Sequence, residues 1–281
     1  MSNHKTVKAN KLLGFVNQLR STQLELRKSI WRYWHNPKGQ TLPIFLVGSG
    51  RSGTNMLVYY LSRLWHIELY NEDNPAAFKD WRLRELKNVR MLIDRSQAHI
   101  ALFKPILDTY RVHVLLSRFP ESKVLFAFRH YNDVINSSLK KFGVTNRINH
   151  VKAWMNEDFG EFAIAPPPKT IKDFIRSLWK PSLSPESGAA LFWLFHNQLF
   201  YDLNLGQNER VKLVRYESVV SEPIEEFKKI CHFINVPFEP YITKGVHSSS
   251  IKRDSSPEID PEIQVACESL WQSLCQREGS N

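Results

Sequence analysis

The stretch Pro43-Ile-Phe-Leu-Val-Gly-Ser-Gly-Arg-Ser-Gly-Thr-Asn-Met-Leu57 constrains this chain more than any other. An apolar run, Ile44 to Val47, breaks into a turn holding Gly48, Gly50 and Gly53. Apolar residues then return at helical spacing, as Met56, Leu57, Tyr60, Leu61 and Leu64. The pattern predicts a buried strand, a tight loop and a helix start. Backbone N–H groups at such a helix N-terminus point outward and can cradle an anionic phosphate.

Gly48 to Thr54 fits the nucleotide-binding pattern G-x-x-x-x-G-K-[ST] with its lysine deleted, because Thr54 follows Gly53 directly. In an NTPase that lysine reaches the β- and γ-phosphates and the hydroxyl holds magnesium. Here the cation, Arg51, sits inside the loop. The loop is built for a phosphate but poorly for a metal-bound triphosphate.

The other apolar runs predict a parallel α/β architecture. Strands are expected at Ile44–Val47, Ile67–Tyr70, His99–Phe103, Lys123–Phe128 and Val211–Arg215. Helices are expected between them, at Asn55–Trp65, Thr109–Phe119, Asn132–Phe142, Glu186–Leu205 and Pro223–Ile234. Such alternation gives a P-loop-type parallel sheet flanked by helices, with ligands at the carboxyl ends of the strands. Residues 147–187 break the rhythm with Ala165-Pro-Pro-Pro168 and scattered aromatics (Trp154, Phe159, Phe162, Phe174 and Trp179). This reads as a helical and irregular insertion, an acceptor lid whose rings suit stacking. The remaining body, 42–281, forms one domain.

Charge separates the leader from this body. Residues 1–41 hold eight Lys and Arg against one acid, Glu25, and so carry most of the chain's net +10. Leu12, Leu13, Val16, Leu19, Leu24, Ile30, Trp31 and Trp34 recur near helical spacing. A basic amphipathic helix is expected, packed on its own domain with a solvated basic face, or touching an anionic membrane. The body is too weakly basic to offer a phosphate track for nucleic acid. No signal peptide and no apolar run of membrane-spanning length is evident. Cys231, Cys267 and Cys275 lack metal-ligand spacing and read as free thiols, so a cytoplasmic protein with no metal site is expected.

A second phosphate site is legible further on. The strand Lys123–Phe128 runs into Arg129, and Ser137 and Lys141 lie one helical turn apart in the next helix. An arginine fork, a hydroxyl and an ammonium converging there suit a phosphate. Two phosphate sites suggest a nucleotide phosphorylated at both ends of its ribose, the description of 3′-phosphoadenosine-5′-phosphosulfate (PAPS).

With these motifs the chain resembles the PAPS-dependent sulfotransferases, in the Arg-Ser-Gly-Thr form of the bacterial and tyrosylprotein-type branch. The resemblance covers most of residues 43–256 in four segments. Gly50-Arg-Ser-Gly-Thr-Asn55 resembles the 5′-phosphosulfate loop, and Val124–Arg129 with Ser137 the 3′-phosphate motif. Val214–Val220 resembles the adenine-pocket segment, and Ser248–Arg253 the late loop over the nucleotide. The resemblance implies that Arg51, Ser52, Gly53, Thr54 and Asn55 hold the 5′ end. It implies Arg129, Ser137 and Lys141 for the 3′-phosphate, Tyr216 for adenine, and Ser249, Lys252 and Arg253 for closure.

The chain also departs from many cytosolic members. Pro105 and Ile106 follow Lys104 where those enzymes carry a base histidine. In the tyrosylprotein-type branch a glutamate beyond the loop helix is the base, and Glu72 stands at the matching distance from Arg51. Arg51 and Glu72 are therefore the expected catalytic pair, with Asp73 and His130 behind Glu72. The expected activity is metal-independent sulfuryl transfer to a small-molecule or sugar acceptor. A P-loop small-molecule or nucleotide kinase, and a non-catalytic nucleic-acid-binding or scaffold protein working through the basic leader, are the alternatives.

Overall fold

The computed structural model describes residues 23–36, 39–158, 167–249, 251 and 256–279. Five parallel strands form its centre: β1 (Leu42–Gly48), β2 (Ile67–Tyr70), β5 (Ile100–Phe103), β6 (Lys123–Phe128) and β7 (Val211–Arg215). They lie in the order β2-β5-β1-β6-β7, and β3 (Phe78–Lys79) pairs antiparallel with β4 (Arg82–Leu83) in a separate hairpin. In register, Phe45 faces Phe103 on one side and Val124 on the other. Chain connections diverge from β1 to either side, which opens a crevice at the carboxyl ends of the strands.

Alternate strand residues feed two cores, as a period of two requires. Phe45, Val47, Phe103, Phe126 and Leu213 enter one; Ile44, Leu46, Leu102, Leu125 and Val214 enter the other. Both faces are covered, so the central strands β1, β5 and β6 read as nearly unbroken apolar runs rather than alternating ones.

The helices, in chain order, are α1 (23–35), α2 (Thr54–Leu61), α3 (Leu86–Arg95), α4 (Val112–Arg118), α5 (Tyr131–Phe142), α6 (Asn146–Met155), α7 (Lys169–Leu178), α8 (Pro185–Asp202), α9 (Tyr216–Ser221), α10 (Pro223–Phe233) and α11 (Pro261–Gly279). Expected and observed boundaries differ by a few residues. The strand expected from His99 opens at Ile100, and the helix expected to reach Trp65 ends at Leu61. The helix expected from Thr109 begins as a 3₁₀ turn, Ile106–Arg111, before α4. The helix expected from Asn132 opens at Tyr131, with His130 as its cap, the ring accepting from the Asn132 N–H. Ser184 caps α8, with proline at the first helical position.

The insertion is more helical than expected, because α6 and α7 both pack on α8. Trp154 stacks on Phe195 at 3.9 Å and on Phe192 at 5.2 Å, so it belongs to the core and not to an open pocket. Phe159 and Phe162 lie outside the described residues.

Helix α1 reverses the expected amphipathy. Lys28 and Arg32 are each only 4% exposed, whereas Leu26 is 63% and Trp34 71% exposed. Lys28 Nζ donates to the Ser62 carbonyl at 2.7 Å, and Arg32 donates to the carbonyls of Trp65 and Ile67. The chain just beyond α2 presents carbonyls without helical partners, and the buried cations satisfy them. Residues 23–35 thus pack on the domain through their basic side.

Two histidines are held neutral inside this structure. Burial pushes His196 down to about 3 and His66 to about 4. The unfolded chain protonates them near the ordinary value of 6.5, so it binds more protons than the native state below that pH. Stability is therefore fully present above pH 6.5 and falls as acid is added. Urea unfolding at pH 7 and pH 5 should show this loss, with up to about 1.4 kcal/mol per pH unit from the fully buried His196 and less from the half-buried His66. His196→Asn should flatten the pH dependence; an unchanged slope would refute the assignment.

Candidate active site

The loop after β1 takes a shape that few residues allow. Gly48 has φ of 125°, and a Cβ there would stand 2.0 Å from the Ala127 carbonyl oxygen. Strand β1 therefore meets β6 as bare backbone. The Gly48 N–H donates to Thr109 Oγ1 at 3.1 Å, which ties the loop to the turn after β5. Gly53 has φ of 82°, and its Cβ would lie 2.3 Å from the Tyr216 ring. Arg51 holds φ of 73°, a left-handed conformation uncommon outside glycine. Such strain concentrates at functional turns.

Ser52 departs from the ligand role expected of it. Its hydroxyl shares a 2.6 Å hydrogen bond with Ser49, its N–H bonds the Ser49 carbonyl, and the residue is buried. It braces the loop from within. Helix α2 then starts without a side-chain cap, so its first N–H groups remain for the cavity that Thr54, Asn55 and Met56 line.

A cavity of about 440 Å³ lies over this loop. Arg51, Gly53, Thr54, Asn55, Arg129, Ser137, Lys141 and Tyr216 all line it, as do Lys140 and Asp133. Residues from the ends of β1, β6 and β7 and from one face of α5 are thereby brought together. Arg51 Nε donates to Ser137 Oγ at 2.9 Å, and Arg129 pairs with Asp133 at 3.2 Å. The Arg129 guanidinium sits 4.3 Å from the centre of the Tyr216 ring. Burial, and then the charge of Arg129, pull the Arg51 guanidinium below its usual range. Two cations held this close favour an oxyanion between them.

The late loop does not join this lining among the described residues. Ser249 is exposed, and its hydroxyl bonds His247 Nδ1 at 2.8 Å, so the expected contact is not made. Lys252 and Arg253 lie outside the described residues.

A second cavity, of about 460 Å³, adjoins the first and shares Arg51, Thr54, Asn55 and Lys141 with it. Glu72 and Lys104 enter it from β2 and β5, which pair with Tyr70 opposite Phe103. Lys104 Nζ binds Glu72 Oε2 at 2.7 Å and also donates to Asn55 Oδ1. Burial raises the Glu72 carboxyl above its ordinary range, and Lys104 only partly opposes this. Asp73 is held by Asn71 at the surface. His130 caps α5 and stacks on Tyr131, and it lines neither cavity.

Among the cavity residues that local patterning did not reveal are Trp81, Arg147, His150 and Phe192. Arg147 and His150 stand three apart in α6, a spacing that puts both on one face, but their stretch reads as irregular. His150 Nδ1 donates to the Asn146 carbonyl at 3.0 Å, which leaves Nε2 as the acceptor. Burial, and more weakly Arg147 and Arg82, hold the imidazole below its usual range and hence neutral at pH 7.

Residues 42–259 match the family model described as "Sulfotransferase domain". A sulfotransferase from Alicyclobacillus acidocaldarius is similar at 15% identity and a TM-score of 0.46, covering 84% of this chain and 94% of its own. The sulfotransferase domain of the curacin biosynthetic pathway is similar at 18% and 0.49, covering 82% and 98%. A mouse sulfotransferase complexed with PAP gives 15% and 0.44, covering 84% and 85%. No curated protein sequence matches.

Gly53 and Gly143 provide a matched test of the loop. Both have positive φ, but a Cβ at Gly143 meets nothing within 4 Å. Gly143→Ala should cost only backbone strain, about 1–3 kcal/mol. Gly53→Ala adds the collision with Tyr216 and should weaken PAP binding at least tenfold by calorimetry. Equal PAP affinity in the two variants would show that the loop does not hold the nucleotide.

Proposed function

The chain belongs to the sulfotransferase-domain family, and from that premise we propose that it moves the sulfuryl group of PAPS to a hydroxyl or amine of a small-molecule or carbohydrate acceptor. One observation carries this reading: two adjoining cavities share Arg51, Thr54, Asn55 and Lys141 as a common wall. One cavity suits a donor nucleotide, the other an acceptor, and transfer occurs across the wall between them. The insertion 147–187 contributes to the acceptor side through α6.

The residues present fit PAPS. Gly53 lets the Tyr216 ring pack directly against the loop, where a Cβ would collide with it, and Arg51, Arg129, Ser137 and Lys141 supply donors and positive charge to the cavity beside them. When bound, PAPS supplies an activated sulfuryl group, and PAP is the product. Arg51 and the open N–H groups of α2 would stabilise the charge that builds on the departing 5′-phosphate and on the sulfuryl oxygens. Such preorganised donors act without reorganisation at the moment of reaction. Arg129, Ser137 and Lys141 would hold the 3′-phosphate, and Tyr216 would border the adenine.

Glu72 serves as the base. Its carboxylate faces the acceptor cavity, and Lys104 and Asn55 fix its position. A carboxyl raised by burial is a stronger base than an exposed one, which brings it nearer the operating pH. The acceptor proton passes to Glu72 as the acceptor atom attacks sulfur in line.

Arg51→Ala should lower kcat by roughly 10²–10³, about 3–4 kcal/mol, with the fold intact by circular dichroism. Wild-type turnover would remove Arg51 from the mechanism. Glu72→Gln should lower kcat/KM by roughly 10²–10⁴. It should also abolish an acid limb that lies above the ordinary carboxylate range. Retained activity in Glu72→Gln with loss in His150→Phe would transfer the base role to His150. Calorimetry separates the kinase alternative: PAP should bind without magnesium, and tight uptake of Mg·ATP with none of PAP would overturn the reading.

A further inference from the structure

The second cavity contains a cation that the reaction above leaves without a role. Arg147 is only 5% exposed, and its guanidinium lies between two rings, 4.4 Å from the centre of Phe142 and 4.0 Å from that of Phe192. Its Nε is buried without a hydrogen-bond partner, and no ion pair or hydrogen bond of Arg147 is formed among the described residues. The carboxylate it feels is that of Glu72, which is already committed to Lys104 at 2.7 Å. Burial pulls Arg147 down to about 10, so it stays protonated at neutral pH. A buried charge without a partner is costly, and the two ring faces offset only part of that cost.

The cavity around it gives the missing partner its chemistry. Arg51, Lys104, Lys141 and Arg147 line it against one carboxylate, Glu72. In the proposed reaction Arg51 and Lys141 serve the donor and Lys104 serves Glu72, which leaves Arg147 alone. Arg147 lines the acceptor cavity and not the cavity of Arg129, Ser137 and Tyr216. A planar fork clamped between two rings is preorganised for bidentate pairing with an oxyanion.

We propose that Arg147 is an anion-binding subsite of the acceptor cavity, and that the acceptor carries a carboxylate or phosphate beside the group that is sulfated. This rests on the assignment of the two cavities to donor and acceptor. The rings of Trp81, Phe142 and Phe192 supply an apolar wall for the rest of such a molecule. Arg147 fixes the acceptor's orientation, and Glu72 takes the proton.

Three probes of similar shape test this by calorimetry: benzoate, phenyl phosphate and neutral benzamide, each titrated with and without saturating PAP. At least one anionic probe should bind tenfold or more tightly than benzamide. A preference for benzoate identifies a carboxylate, and one for phenyl phosphate a phosphate. Arg147→Met, which keeps length and apolar character, should erase the preference, and Arg147→Lys should restore part of it. Arg147→Met should melt no lower than wild type, because it removes an unpaired buried charge. Equal binding of all three probes, or a preference that survives in Arg147→Met, overturns the subsite. A tenfold loss of PAP affinity in Arg147→Met also overturns it and assigns the arginine to the donor. Failure of PAP to bind the wild type sinks the donor assignment alone, since the probe preference is still read without PAP.

Discussion

The site depends on how closely the backbone of Gly48 approaches β6. The neighbouring Ala127 carbonyl stands where any side chain would begin. This contact ends β1 at the height where β6 gives way to Arg129, so the two arginines meet over one cavity. Thr109 fixes the same point from the other side through the Gly48 amide. The rest of the loop follows from that origin. Left-handed residues at Arg51 and Gly53 turn the chain into α2, and the Ser49–Ser52 bond closes the turn. The loop is rigid because backbone and short hydroxyls define it, and the long side chains project from it.

Buried cations then divide into two kinds. Lys28 and Arg32 are matched by carbonyls at the end of α2 and the start of β2, and Lys104 by Glu72 and Asn55. These are structural, and removing one partner would strand a charge. Arg51 and Arg147 have weaker protein partners, a serine hydroxyl and aromatic faces respectively. Burial without a carboxylate lowers both from the usual guanidinium range. In the proposed reaction an anionic ligand supplies the counter-charge that these two side chains lack in the fold.

The unmatched helix α1 follows the same logic on the outside. Its lysine and arginine stems lie against the domain, while Leu24, Leu26, Ile30 and Trp34 remain exposed. Periodicity pointed to a helical segment within residues 1–41 but not to which side of residues 23–35 would be buried. The carbonyls of Ser62, Trp65 and Ile67 take that contact through Lys28 and Arg32.

The central strands β1, β5 and β6 were legible because each is an apolar run buried on both faces, the edge strands β2 and β7 from apolar residues interrupted by Glu68 and Lys212, and the loop after β1 because its backbone requires glycine. Ser137 and Lys141 were legible because helical spacing alone puts them on one face. The short hairpin β3–β4 was not, since two residues per strand carry no period. Nor was α11, whose apolar residues are interleaved with polar ones around the helix. The sequence by itself determined the sheet, the loop after β1 and the positive charge placed at the ends of its strands. Only the tertiary structure decided that Ser52 faces inward, that Glu72 meets Lys104, and that Arg147 enters the second cavity. Those outcomes depend on distances between segments far apart in the chain, which local patterning does not encode.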